Sequence, residues 1–140
     1  MAVTISVSRG SKVGRSRKAG AALWTAQALL AAVFLFAGAF KLAAPWEEMA
    51  AQMTVALPEL FVRFIALCEV LGALGMILPG LTRVRRELTP IAAVGLVAIM
   101  VGATTITVAT MDVPSAILPF VCGLLAIAVA RGRASWLADR

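Results

Sequence analysis

The segment that decides the fold runs from Phe64 to Gly80 and reads FIALCEVLGALGMILPG. It is apolar except for one carboxylate, Glu69, which lies several residues from either end. A solvated charge belongs at a surface, and an unpaired carboxylate in a dry core is costly unless it is neutralised or finds a partner. The role of Glu69 therefore depends on the solvent that surrounds this segment.

The composition of the chain indicates that this solvent is lipid. Of the 140 residues 61% are hydrophobic and only 14% are charged, against roughly 45 to 50% and ~25% in globular proteins. The mean hydropathy is +0.96, and a soluble domain of this length could not bury so much apolar surface. The apolar residues also form blocks of about 20, the length of a helix that crosses a hydrocarbon core. We therefore predict an all-α, polytopic membrane protein.

Prolines separate the apolar blocks into four transmembrane spans, because proline is tolerated at helix ends and disfavoured inside helices. The predicted spans are residues 21–42, 59–78, 90–110 and 114–131, within one domain of residues 21–133. Pro119 falls inside the fourth span, where it predicts a kink or a late start. Residues 1–20 form a basic tail that we expect to be disordered, and residues 134–140 form a second tail. The expected architecture is a four-helix, up-down bundle.

Charged residues predict the orientation of these spans. All but two of the 13 lysines and arginines lie before the first span, between the second and third, or after the fourth. These three regions are on one side of a four-pass chain. The connections on the other side carry the acidic residues Glu47, Glu48, Glu59 and Asp112. By the positive-inside rule both termini are cytoplasmic.

The formal net charge of +6 has other interpretations, which the sequence disfavours. Nucleic-acid binding is not expected, because membrane topology accounts for the basic residues and no stacking aromatic residues are interleaved with them. A cleaved signal peptide is not expected either, since the first apolar block exceeds the about 7 to 15 residues of such a peptide. The lipid bilayer, including its anionic headgroups, is the partner that this charge predicts.

Polar residues inside the spans concentrate in the outer half of the predicted bundle. Glu69 lies near the middle of the second span, and Lys41 and Arg63 lie closer to the outer side, as do Thr104 and Thr107 in the third span. Ionisable residues in transmembrane segments usually face the bundle interior and mark functional sites. We predict that these five residues form a ligand-binding or proton site, a pocket that opens outward with Glu69 at its floor.

Each of these residues also has a purely structural explanation. Lys41 could extend its amine to the headgroups, Arg63 could anchor its helix at the interface, and the threonines could bond to carbonyls of their own helix. Glu69 could bond to a neighbouring helix and fix its packing. The axial gap between Lys41 and Glu69 is about eight residues, ~12 Å, which two long side chains only just bridge. A direct ion pair, a bridging water and a ligand headgroup all remain open.

Glycines near these polar residues predict close helix packing. Gly38 precedes Lys41 by three residues, and Gly72 and Gly75 follow Glu69 on the second span. Small residues at such positions let the backbones of two transmembrane helices approach each other.

The two cysteines and the lack of histidine bear on redox and metal chemistry. Cys68 and Cys122 lie at matching depths, which would permit a dithiol or disulfide if their Cα atoms came within ~7 Å. The chain has no C-x-x-C motif, and packing is the preferred interpretation of both thiols. It also has no histidine, the commonest general base and metal ligand. No metal site is expected, and no catalytic residue is assigned.

Three segments of the sequence resemble the DoxX-like family of small bacterial membrane proteins. They are AGAFKL at the end of the first span, CEVLGALGMILPGLTR in the second and LTPIAAVGLVAIMVGA in the third. The resemblance covers about residues 22–133, and its most specific features are Gly38 and Lys41 in the first span and Glu69 and Gly72 in the second. It implies a four-helix membrane bundle, located in the bacterial inner membrane.

The resemblance also implies a function. Some relatives are linked to quinone-coupled sulfur oxidation and others to redox or disulfide maintenance near the membrane. This chain departs from many relatives, which carry a histidine where it has Thr107. We expect a redox-associated subunit that holds a quinone or similar amphiphile non-covalently and works with a membrane or redox partner protein. Glu69 would be proton acceptor or headgroup ligand, and Lys41 its electrostatic partner. The alternative is a non-catalytic membrane partner or small-solute carrier, and no residue pattern decides between the two.

Overall fold

The computed structural model describes the backbone of residues 9–138 and the side chains of residues 17–137. The elements are α1 (Arg9–Ala43), α2 (Trp46–Ala51), α3 (Glu59–Thr82), α4 (Leu88–Thr110), α5 (Val113–Gly132) and a 3₁₀ helix (Ala134–Ala138). Among the described residues, four helices are long and apolar enough to cross a membrane, namely α3, α4, α5 and the Arg17–Ala43 part of α1. The prediction of four helical spans is confirmed.

The boundaries differ from the predicted ones at several places. α1 begins at Arg9, not at residue 21, and its 35 residues extend for ~52 Å, beyond a hydrocarbon core of ~30 Å. The expected disorder of residues 1–20 stays a prediction only for residues 1–8, which lie outside the described residues. α2 occupies the first connection, and a 3₁₀ helix forms most of the predicted C-terminal tail.

Each long helix buries one narrow stripe of side chains and leaves the rest of its apolar surface exposed. α1 packs on α3, α3 on α4, α4 on α5, and α5 on α1. On α3 the buried residues recur every three or four positions, at Val62, Ala66, Glu69, Ala73, Met76 and Pro79, and Gly80 beside Pro79 is buried too. The other faces of α3 expose leucines such as Leu67, Leu71 and Leu78. Such an arrangement is stable only when lipid covers the outside, and it places Glu69 on the interior face of its helix.

Glycines on α1 and α3 allow close helix contacts, including Gly75 on α3, where an added Cβ would lie 2.9 Å from the Cβ of Ala92 on α4. At Gly38 on α1, an added Cβ would lie 2.8 Å from the carbonyl oxygen of Ala66 and 3.2 Å from the amide nitrogen of Val70 on α3. At Gly72 on α3, an added Cβ would lie 2.7 Å from a methyl carbon of Leu96 on α4. Dispersion between closely packed surfaces stabilises helix pairs in lipid, where burial from water contributes little.

α3 continues through Pro79, although the sequence predicted its end at residue 78. Proline has no N–H, so the carbonyl of Gly75, four residues earlier, loses its usual helical donor. The Thr89 hydroxyl on α4 donates to that oxygen at 3.2 Å, and the Gln27 amide on α1 donates to the next carbonyl, that of Met76, at 2.6 Å. Side chains of both neighbouring helices thus bond to carbonyls of this turn. α3 ends at Thr82, and the residue after it, Arg83, has a left-handed φ of 58°.

Candidate functional site

An ion pair inside the bundle joins α1 to α3. The Lys41 amine donates to both carboxylate oxygens of Glu69 at 2.8 Å. The side chain of Glu69 is 3% exposed, whereas that of Lys41 is 32% exposed. A carboxylate this deeply buried is stable as an anion only with a cation in contact. Of the alternatives that the sequence left open for these two residues, the structure contains the direct pair.

The pair forms because the two helices are offset less than their sequences suggested. Gly38 packs level with the α3 backbone between Ala66 and Val70. Lys41 lies three residues from that level toward the end of α1, and Glu69 lies about one residue from it in the opposite direction, which makes a gap of ~6 Å at ~1.5 Å per residue. The gap expected from the sequence was ~12 Å. A lysine side chain spans the smaller distance easily.

Arg63 holds the end of α1 in this position. Its guanidinium donates to the carbonyl oxygens of Lys41, Leu42 and Ala44, which the end of α1 leaves without helical donors. It also lies 3.3 Å from the carboxylate of Glu59, four residues earlier on α3. Arg63 therefore positions Lys41 through the backbone of α1, and it does not line the cavity described next.

A cavity of about 480 Å³ lies beside the ion pair. Its walls come from α1, α3, α4 and the connection after α2. The lining residues are Lys41, Met53, Leu57, Phe61, Val62, Ile65, Glu69, Ala98, Ile99, Gly102, Ala103, Ile106 and Thr107. The surface is apolar except at the ion pair and at Thr107, whose hydroxyl donates to the carbonyl of Ala103 at 2.8 Å. The cavity thus combines apolar walls with one buried anion and one partly exposed cation.

Lys41 and Thr107 offer a ligand different hydrogen-bonding groups. A lysine ammonium carries three N–H donors, and Glu69 accepts from Lys41 with its two oxygens. A third donor is available to a ligand in the cavity. The Thr107 hydroxyl already donates within its own helix, so toward a ligand it can only accept. The site can therefore offer one charged donor and one neutral acceptor to a small amphiphile.

The structure separates the other predicted site residues from this cavity. Thr104 lines a second cavity of about 250 Å³ between α4 and α5, so the expectation of one pocket with Thr104 and Thr107 is not met. Cys68 is half-buried on α3, Cys122 is buried on α5, and both are free thiols. Neither cysteine lines the cavity beside Lys41. Among the described residues, no group of histidine, cysteine and carboxylate side chains could hold a metal ion.

Two buried polar residues at the other end of the bundle were not predicted. Gln27 and Thr89 are completely buried, and both donate to carbonyls near Pro79. Pro79 was the available signal, because a proline within an apolar span leaves a carbonyl that some neighbouring side chain must satisfy.

The chain matches a known protein family. A family model described as the DoxX-like family matches residues 25–129, which include every residue of the cavity and the ion pair. No curated protein and no solved structure matches the chain.

Proposed function

The chain belongs to the DoxX-like family, and from that premise we propose that it is a redox-associated membrane subunit that binds a quinone or a similar small amphiphile. The ligand occupies the cavity between α1, α3 and α4. Its headgroup lies against Lys41 and Glu69, and its apolar tail extends along the cavity walls. The observation that carries this proposal is a buried, directly bonded ion pair facing an apolar cavity.

The chemistry of the cavity supports a quinone headgroup. Quinone carbonyl oxygens only accept hydrogen bonds, and the Lys41 ammonium retains a donor for one of them. A quinol hydroxyl can donate to Glu69 or to Thr107. The volume of about 480 Å³ falls within the roughly 300–1,000 Å³ of small-molecule sites. The apolar remainder of the wall suits a hydrocarbon tail.

The redox step that we propose needs a second protein. Conversion of a quinone to a quinol takes up two electrons and two protons. In our proposal a membrane or soluble redox partner supplies the electrons, and Glu69 takes up each proton from the aqueous phase and passes it to a quinone oxygen, one proton at a time. A carboxylate beside a cation can act in this way because it can accept and release a proton at a fixed position.

A second candidate is non-catalytic binding or small-solute transport. It is favoured by one observation, that Lys41 already satisfies both oxygens of Glu69. A site with such a pair can hold a neutral amphiphile without any proton exchange. Quinone binding without coupled proton uptake would favour this candidate.

Ligand binding can be tested by substituting two glycines on one face of α4, Gly102 and Gly95. An added Cβ meets nothing within 4 Å at Gly102, which lines the cavity, or at Gly95, which does not. We expect Gly102→Leu to fill the cavity and weaken binding of a short-chain quinone about tenfold or more, the effect of ~1.4 kcal/mol or greater. Calorimetry on the purified protein in detergent measures the affinity.

The matched control is Gly95→Leu, which adds the same side chain two turns away. It should leave the affinity for the quinone unchanged. Equal binding by both variants would exclude this cavity as the ligand site, and failure of the unmodified protein to bind any quinone would exclude the ligand class.

We also propose the orientation of the bundle. The α1 contacts with α3 run from Trp24 against Gly80 to Lys41 against Glu69, as in two helices of opposite direction. Two residues join α4 to α5, which is too short a connection to cross a membrane. An up-down bundle with both termini in the cytoplasm accounts for these contacts and for the basic segments.

The orientation predicts the behaviour of topology reporters in a bacterial inner membrane. A reporter that works only in the cytoplasm should be active when it is fused after Arg140. A reporter that works only outside the cytoplasm should be active when it is inserted near Gln52. A reporter inserted after Arg85 serves as an internal control and should match the fusion at Arg140. External activity of the C-terminal fusion would contradict the proposed four-pass arrangement.

A further inference from the structure

A cluster of arginine and tryptophan side chains lies at the end of the bundle away from the cavity. Its members are Trp24, Gln27, Arg86, Arg133 and Trp136, which we call the arginine–tryptophan cluster. The Arg133 guanidinium carbon lies 4.4 Å from the centre of the Trp136 ring and 5.4 Å from that of Trp24. The Arg86 guanidinium carbon lies 5.0 Å from the Trp136 ring. Gln27 and Lys41 are 14 positions apart on α1, ~21 Å, so this cluster is separate from the cavity.

Arg133 is unusually buried for an arginine. It is 9% exposed, and its Nε donates to the side-chain oxygen of Gln27 at 2.8 Å. Its Nη2 and the Nε of Arg86 are buried and have no hydrogen-bond acceptor among the described residues. A buried donor without an acceptor is costly, and more so when it carries charge. The cluster therefore contains two charged donors that lack acceptors.

The charges of the cluster also indicate that a negative group is missing. Burial lowers the pKa of Arg133, and the neighbouring charge of Arg86 lowers it further. Among the described side chains, the ion pairs are Lys41–Glu69 and Arg63–Glu59, both at the other end of the bundle. The two tryptophan rings attract the guanidinium groups but supply no anion. A negative group placed between Arg86 and Arg133 would remove their repulsion and satisfy both free donors.

We infer that the arginine–tryptophan cluster binds a phosphate group, carried by the headgroup of an acidic phospholipid. Guanidinium groups fit phosphate oxygens in a bidentate manner, and tryptophan is favoured at the membrane interface. Exposed apolar side chains beside the cluster, Leu81, Val84 and Leu137, provide a surface for the acyl chains, which favours a lipid over free phosphate. The headgroup enters by displacing Trp136, which is half-buried on a 3₁₀ helix of five residues.

The test compares purified full-length protein in nanodiscs of phosphatidylglycerol and of phosphatidylcholine with the same acyl chains. We expect a higher Tm in phosphatidylglycerol and a change in tryptophan fluorescence, because Trp24 and Trp136 lie in the site. Native mass spectrometry gives the lipid affinity. Arg86→Gln should weaken phosphatidylglycerol binding about tenfold, as expected for the loss of one charge-assisted hydrogen bond, and should abolish the Tm difference.

The matched control is Arg131→Gln, which removes the same charge from an exposed position two residues before Arg133. It should keep both the lipid preference and the fluorescence change. Equal losses in the two variants would reduce the effect to general surface charge and overturn the proposal, as would equal binding of the two lipids.

Two further experiments identify the molecule that supplies the anion. Inorganic phosphate added in detergent should not reproduce the fluorescence change; if it does so as strongly as the lipid, the phosphate site stands but takes a soluble ligand. The Asp139 carboxylate, which lies outside the described residues, is the internal alternative. Asp139→Asn should leave the lipid preference unchanged. If it instead lowers the Tm in phosphatidylcholine, where no anionic headgroup is present, Asp139 is the anion and the proposal fails.

Discussion

Lys41→Met is expected to destabilise the bundle by ~3–5 kcal/mol, because it leaves a buried carboxylate without its cation. Glu69→Gln should cost less, since the amide keeps the shape of the side chain and the partly exposed Lys41 amine can turn toward water. Both variants should lose binding of the quinone. Combining them should restore stability without restoring binding, with a coupling energy of ~0.5–3 kcal/mol in a double-mutant cycle.

The measurement is reversible unfolding in detergent together with the quinone affinity of each variant. Glu47→Gln is the control, because Glu47 is an exposed carboxylate that forms no ion pair among the described side chains, and it should change stability by less than ~0.5 kcal/mol. If the losses from Lys41→Met and Glu69→Gln simply add and the Glu69→Gln protein still binds quinone, then Glu69 only fixes helix packing. The proposed ligand site would then have no functional carboxylate.

Gly38→Ala should destabilise the protein by ~1–3 kcal/mol although it adds a single methyl group. The new Cβ would lie 2.8 Å from the carbonyl oxygen of Ala66, a backbone atom that cannot move without α3. The two helices must therefore separate, which also moves Lys41 away from Glu69. Quinone affinity should fall together with stability.

Gly95→Ala is the comparison for this variant, because nothing lies within 4 Å of the added Cβ. It should be neutral or stabilising by up to ~1 kcal/mol, the difference in helix propensity between glycine and alanine. The unfolding midpoints of the two variants, measured in the same detergent, give the difference in stability. Similar midpoints would mean that α1 and α3 tolerate a wider separation than their contact indicates.

The number and position of the spans, and the family, could be predicted from sequence alone. A block of about 20 apolar residues can satisfy its backbone in lipid only as a helix, so length and hydropathy identify such a helix without any knowledge of its neighbours. The same reasoning singled out Glu69, because a carboxylate in the middle of such a block must face the bundle interior. These inferences require only the nature of the solvent and the sequence of each helix taken by itself.

The relations between helices could not be predicted in this way. The direct contact of Lys41 with Glu69 depends on the axial offset of α1 and α3, which the packing of Gly38 sets. Thr104 and Thr107 are three residues apart, yet they line different cavities because the rotation of α4 directs them toward different neighbours. α3 passes Pro79 because Gln27 and Thr89 supply donors from other helices.

Sequence alone therefore determined which segments of this protein enter the membrane and that the charged residue Glu69 lies in the middle of one of them. The free energy of transfer from water to lipid depends on each segment separately. Only the tertiary structure decided which side chains meet. The contact of Arg133 with Gln27 joins residues 106 positions apart, and the cavity draws its walls from three helices and a connection. Such contacts depend on offsets of a few ångströms and rotations of a fraction of a turn, which arise only when the helices pack against one another.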